Sequence, residues 1–333
     1  MRFGTVPLDA ALGAILAHSV GLPQGRLRKG CFLGVDEIAQ LRAAGLAAVT
    51  VAQLGPTDVH EDAAALAVAQ ALVPDPVAAG LRLRPVGTGR VNIHADVTGL
   101  AEVLAERVNA LNAVDPMITL ATVPRWQRLA QTEMVATVKV IAYGVGHAAV
   151  VAACAAGEGA LRMRPVAMSE TALIQTVTPN DDGEKGHRAI QKRLSALNVV
   201  LQPKRLVAHS EDELAAALNA VTGADLILIL TASATSDAQD VAPQALRRAG
   251  GSVERFGMPV DPGNLLFLGQ LGGVPVIGLP GCAKSPALNG ADWVMERVIC
   301  GVPVTGADIA EMGVGGLLKE IPARGRLRSA TQE

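Results

Sequence analysis

One glycine-rich stretch and two polar loops hold the residues whose types and spacing could do chemistry. Residues 257–285, GMPVDPGNLLFLGQLGGVPVIGLPGCAKS, contain two Pro-Gly turns, Pro262-Gly263 and Pro280-Gly281, separated by short apolar runs. The run 274–279 reads as a buried strand that opens into a glycine loop and then a helix from Pro286. A strand feeding a glycine loop and a helix N-terminus builds an anion site, because free backbone N–H groups and the helix dipole both favour negative charge. Lys284 and Ser285 add an ammonium and a hydroxyl to that grip. The loop is not a P-loop, which needs Gly-Lys-Ser/Thr in direct succession. A strand-to-helix turn with a solvated lysine is the bland alternative.

The second group is the loop 231–240, TASATSDAQD. Its hydroxyls, Thr231, Ser233, Thr235 and Ser236, suit a phosphate or a polar heterocycle, and Asp237 and Asp240 add carboxylates. Asp240 either accepts from an N–H of a bound ring or N-caps a helix at Val241, and the two roles are compatible. The third group is 176–182, TVTPNDD, with Thr176, Thr178, Asp181 and Asp182. Cys282 sits inside the glycine loop, where amides can lower a thiol pKa; a packed, inert thiol is the simpler reading. His187 and His209 read as surface residues. No pair among the six histidines has metal-site spacing, and the four cysteines form no C-x-x-C pair. No metal is expected from these residues.

The 333 residues suggest two domains, half of them apolar, with aromatics at only 2%. The core must therefore be Ala, Val and Leu. Charges nearly cancel, 29 basic against 31 acidic, so neither the basic footprint nor the stacking platform of a nucleic-acid binder is present. The N-terminus lacks a signal-peptide pattern, and the apolar runs are too short to span a bilayer. Free thiols fit a reducing compartment. The expectation is a cytoplasmic protein with no membrane and no nucleic-acid partner.

These loops need elements to position them. In the first half, 36–44, 58–72, 98–111 and 146–156 read as helices, and 48–52 and 133–143 as strands. The second half alternates cleanly. Strands are expected at 172–177, 199–207 (interrupted by Pro203, hence at an edge), 225–230, 252–256 and 274–279. Helices are expected at 185–197, from a capping box at Ser210 to 221, at 241–249, and at 286–299. This is an α/β class: a doubly wound, mostly parallel sheet between helices, preceded by an α+β region. The domain boundary falls in 157–165, and the tail after Arg324 reads as frayed.

At this point the second half resembles the molybdopterin-binding Mog-like domain shared by MogA/MoaB proteins and MoeA molybdotransferases. DLILILTASATSDAQDVAPQALRRAGGSVERFGMPVDPG follows that family's strand, substrate loop ending in Asp, helix and Pro-Gly turn. LGGVPVIGLPGCAKS follows its strand and second Pro-Gly loop. The resemblance spans about 166–303; residues 1–160 resemble a MoeA-like N-terminal region through LAHSVGLPQGRLRKGCFLGVDEIAQLRAAGLAAVTVAQL, and 304–333 form a C-terminal extension, partly disordered.

The resemblance implies a pterin dithiolene phosphate, molybdopterin or molybdenum cofactor, bound at the strand ends. By position, Asp240 matches the family's loop Asp, Thr235 its loop Ser, and Pro262, Gly263, Pro280 and Gly281 its two Pro-Gly pairs. Thr176, Thr178, Ser233, Ser236, Lys284 and Ser285 complete the expected ligand set. The departures fall where catalysis would lie. Ala232 and Ser233 replace a Gly-Gly pair, Asp237 replaces a glycine, and Cys282 replaces an Asn. The Thr-Gly-Asp-Glu run of MoeA-type enzymes becomes Thr176-Val177-Thr178-Pro179-Asn180, with Asp181 and Asp182 just beyond. Residues 304–333 leave no room for a complete MoeA-type C-terminal barrel. The leading expectation is therefore cofactor binding or delivery. Expected partners are a molybdenum-enzyme recipient or other cofactor-biosynthesis proteins, and a second copy in a homo-oligomer. One alternative is an active molybdotransferase using Asp181 or Asp182, and Asp240, with adenylylated molybdopterin, molybdate and Mg. Another is a non-catalytic oligomerisation scaffold.

Overall fold

The structure, a computed structural model, describes residues 1–318. It divides into two compact units, the first Met1–Met163 and the second beginning at Arg164.

The first unit is α+β. Its opening part pairs strand Ala48–Gln53 with Arg2–Pro7 and Ile15–Leu16, all antiparallel. Helix Val35–Ala43 contributes Ile38 and Leu41 to a small core with Leu8, Leu16, Leu33 and Val51. The remainder builds a four-stranded antiparallel sheet from Ile118–Thr122, Met134–Val140, Arg90–Ala95 and Leu81–Gly87.

Two expected helices are shorter than their spacing suggested. Residues 58–60 pair as a strand with Gly144–Gly146, and the helix begins only at Glu61. Within 98–111, Gly99–Val103 is a strand buried at every position, and the helix runs Ala105–Asn112. Leu100, Ala101 and Val103 of that strand are apolar and buried without a clean alternation, so they match a helical stripe as well as a strand.

The second unit holds one seven-stranded sheet. Its strands in chain order are β1 (Glu170–Val177), β2 (Val200–Leu201), β3 (Arg205–Ala208), β4 (Leu226–Leu230), β5 (Ser252–Phe256), β6 (Phe267–Leu271) and β7 (Val274–Leu279). The parallel part is β1, β2, β3, β4 and β7, with β1, β4 and β7 adjacent. β6 and β5 extend it antiparallel from β7. The break at Pro203 splits the expected edge strand into β2 and β3, both paired to β1.

Helix α1 (Glu184–Ser195) follows β1, α2 (Glu211–Asn219) precedes β4, α3 (Val241–Arg248) follows β4, and α4 (Gly290–Ile299) follows β7. The Ser210 hydroxyl accepts from Glu213 N–H and starts α2. α2 and α3 pack Leu214, Leu218, Ala245 and Leu246 on the sheet face that carries Ile174, Ile227, Ile229 and Val276. α1 lies on the other face, where Gly186 abuts Gln175 and Leu230. All five residues of β4 are buried, as a central parallel strand requires. Each of its Leu and Ile side chains contributes about 2 kcal/mol of burial. Gly278 of β7 is the tightest position in the sheet: a Cβ there would lie 1.9 Å from the Phe267 ring.

The residues expected in the disordered tail after Arg324 lie outside the described residues. Among the described residues, no helix is long and apolar enough to cross a membrane.

Candidate functional site

The loops after β1, β4 and β7 leave the carboxyl ends of three adjacent parallel strands, the edge where open α/β sheets bind ligands. The loop after β5 reaches the same edge, because Phe256 pairs with Phe267 and Phe267 with Gly278 near the end of β7. Topology thus gathers the four segments that carry the sequence-expected residues.

Most of the polar groups there are engaged with the protein itself. The Thr176 hydroxyl is buried; it accepts from Ala232 N–H at 2.9 Å and lies 2.8 Å from His209 Nδ1. It pins the β1 end to the β4 loop. His209 was expected at the surface but is half-buried as the other partner of this pin. His187 is half-buried as well, with an unpartnered Nδ1. The Thr231 hydroxyl donates to the Ser233 carbonyl and lies 3.3 Å from the buried Thr235 hydroxyl.

Asp240 accepts from Val241 N–H at 2.7 Å with one oxygen and from Ser236 N–H at 3.0 Å with the other. Of its two compatible roles, the N-cap is formed. Asp181 and Asp182 are exposed and accept from Gly183 and Glu184 N–H, each at 2.9 Å. They form the turn that opens α1, where Gly183 has a left-handed φ of 66°.

The loop after β7 behaves differently. Residues 281–284 form a single 3-10 turn, and α4 begins at Gly290 rather than at Pro286. Lys284 and Ser285 therefore do not sit at a helix N-terminus. Asn289 caps α4, with its side-chain oxygen accepting from Ala291 N–H at 2.8 Å, and Asp292 accepts in return from Asn289 N–H at 2.9 Å. The pair Asn289…Asp292 is a capping-box spacing that was legible in the sequence. The Gly290 N–H donates to the Pro262 carbonyl at 2.8 Å. The first Pro-Gly turn packs on the start of α4 at this point: a Cβ on Gly263 would lie 2.7 Å from Gly290 N, and Gly263 has a φ of 143°.

Gly281 is the exception among these glycines. It is exposed, its φ lies outside the left-handed range, and a Cβ there would meet nothing within 4 Å. Neighbouring Cys282 is exposed, and Lys284 is half-buried. The Cys282 thiol is pushed up, first by burial and then by the Asp261 and Asp292 carboxylates. Its own amide and Arg193 oppose the rise without outweighing it. The lowered thiol pKa that the glycine loop suggested does not occur.

The arrangement offers an open turn that carries the Lys284 ammonium, and Thr178, Ser233, Ser236 and Ser285 are exposed on the loops of this edge. Among the described residues, no group of three His, Cys, Asp or Glu is placed to hold a metal. A cavity of about 530 Å³ lies elsewhere in this unit, lined by Ser252, Glu254, Gln270, Pro275, Val302 and Pro303, at the start of β7. It contains none of the expected site residues.

One family model matches, a domain of unknown function (DUF8806), over residues 5–53. These are the residues of the first three-stranded sheet and its helix. No curated protein matches the chain. Among solved structures, the chain is similar to the crystal structure of the molybdopterin biosynthesis MoeA protein from Pyrococcus horikosii, at 15% identity, over 90% of this chain and 75% of that one. The TM-score is 0.31, too loose a superposition to place any residue, so the site rests on its own geometry.

Proposed function

We propose that the second unit binds a phosphate-bearing pterin, molybdopterin or the molybdenum cofactor, over the loop 280–285. The reading rests on the Mog-like sequence pattern of 225–285 together with one observation: the open space over Gly281 beside Lys284. Other glycines at this edge are closed by packing, as Gly263 and Gly278 show. A glycine with neither a packing nor a backbone requirement leaves room for a ligand atom at close approach. Lys284 supplies the counter-charge for the phosphate. Ser233, Ser236 and Ser285 supply hydroxyls for the ring and phosphate oxygens. Thr176, Thr231, Thr235 and Asp240 hold the neighbouring loop in shape.

Binding or delivery fits this arrangement better than metal insertion. Asp181 and Asp182 stabilise the start of α1, and among the described residues no carboxylate cluster is placed to hold Mg. The test is anaerobic titration of the protein with molybdopterin released from a purified molybdenum enzyme, followed by pterin absorbance. Saturable binding that Lys284→Ala weakens about tenfold is expected. Wild-type protein that fails to saturate would end this reading. Turnover with adenylylated molybdopterin and molybdate above a protein-free blank would replace it with the molybdotransferase.

A further inference from the structure

Arg193 on α1 is the most heavily bonded side chain at this edge, and nothing in its sequence surroundings marks it. Its Nη1 donates to the Ala189 and Ala283 carbonyls, each at 3.1 Å. Its Nη2 donates to the Ser285 carbonyl at 2.8 Å and the Ala287 carbonyl at 3.1 Å. Its Nε donates to Asp292 in an ion pair whose side chains are only 10% and 8% exposed. One guanidinium therefore holds three carbonyls of the loop between β7 and α4, and the first turn of α4 through Asp292.

We infer that Arg193 is the positioning residue of the anion-binding loop. The inference deepens the pterin reading above and rests on it. Residues 281–289 have only one 3-10 turn of regular structure. A loop of that length would ordinarily sample many shapes and lose affinity to the entropy of ordering. Arg193 removes that freedom in advance. With the carbonyls of Ala283, Ser285 and Ala287 drawn to one point, the loop is fixed around Gly281 and Lys284 before any ligand arrives. The guanidinium also lies within electrostatic reach of Cys282, whose thiol it draws downward. Its charge therefore reaches the rim of the loop, although the group is buried.

Only a planar fork can hold these acceptors together. A lysine at this position keeps the charge, but it is a compact point donor on a flexible stem and cannot span them. Charge and geometry are thus separable by substitution. If charge alone mattered, Arg193→Lys would restore what Arg193→Met removes. If the fork matters, both variants lose it.

The experiment compares molybdopterin affinity of the full chain for wild type, Arg193→Lys, Arg193→Met and Gly281→Ala, all below their melting temperatures. Both Arg193 variants are expected to bind about tenfold more weakly, and the amides of the 283–289 loop are expected to exchange faster than in wild type as the loop loosens. Gly281→Ala is expected to lose affinity without a change in the exchange of those amides. Wild-type affinity in Arg193→Lys, with Gly281→Ala still weakened, overturns the positioning role and leaves the pterin site standing. Wild-type affinity in Gly281→Ala overturns the site itself. Hydrogen exchange of the unmodified protein gives a check that needs no variant. Amides of 283–289 should exchange about tenfold or more slowly than those of the exposed Ser233, Ala234 and Asp237, and equal rates would contradict the clamp.

Discussion

The loops after β4 and β7 use similar residue types in opposite ways. In 231–240, Thr231 and Asp240 bond their own backbone in short turns, and the Thr235 hydroxyl lies against that of Thr231. In 280–285 the Ala283 and Ser285 carbonyls turn inward to Arg193, and Gly281 faces open space. Short polar side chains compete for the nearest backbone groups, so a hydroxyl or carboxylate in a tight loop is first a builder of that loop. Ligand contact falls instead to positions that local structure does not claim. In the proposed pterin site, the β7 loop with the exposed Ser233 and Ser236 is then the ligand side, and Thr176, Thr231, Thr235 and Asp240 are its supports.

The comparison can be broken at graded positions. Gly278→Ala should be the most damaging change, because its Cβ would overlap Phe267. A loss of about 3 kcal/mol is expected in denaturant unfolding. A loss under about 0.5 kcal/mol would mean that the β6–β7 packing is not rigid.

Asp240→Ala should cost about 1 kcal/mol through loss of the α3 cap, with pterin affinity changed by less than about threefold. A large affinity loss at unchanged stability would move Asp240 to the ligand side.

Asp225 provides a smaller, pH-dependent effect away from the site. It accepts from Ser169 N–H, Ser169 Oγ and Glu170 N–H at 2.7, 2.9 and 3.0 Å, and these bonds hold its carboxyl below the usual carboxylate range. A depressed folded-state pKa contributes stability above the unfolded value and loses it as pH falls through the folded one. Asp225 is exposed, so solvent screening limits the effect to about 1 kcal/mol or less. Thermal melts from neutral to acid should show the wild type losing this increment, while Asp225→Asn lacks it throughout. Gly281→Ala should be the mildest for the fold, within about 0.5 kcal/mol of wild type.

The second unit was legible where physics is local. The apolar run of β4, the Ser210 cap and the Asp240 cap all act within a few residues. The first unit was less so. Gly99–Val103 finds its antiparallel partner at Gln127–Leu129, and no spacing within 98–111 reveals that pairing. The start of α4 was misplaced for the same reason. Carbonyls of 283–287 are held by Arg193, some 90 residues earlier in the chain, as the Ala283 separation of 90 shows. The candidate residues were found by type, but which of them remain free for a ligand depended on partners that only the fold supplies. Thr176 is the clearest instance, since both His209 and Ala232 reach it from other segments.

The division of the site into ligand side and support is tested most directly by one paired measurement. Melting temperature and molybdopterin affinity are recorded together for Gly281→Ala and Asp240→Ala. Gly281→Ala should keep the wild-type melting temperature and bind about tenfold more weakly, while Asp240→Ala should melt lower and bind nearly as wild type. The reverse pattern, a destabilised Gly281→Ala that still binds and a stable Asp240→Ala that does not, would contradict it.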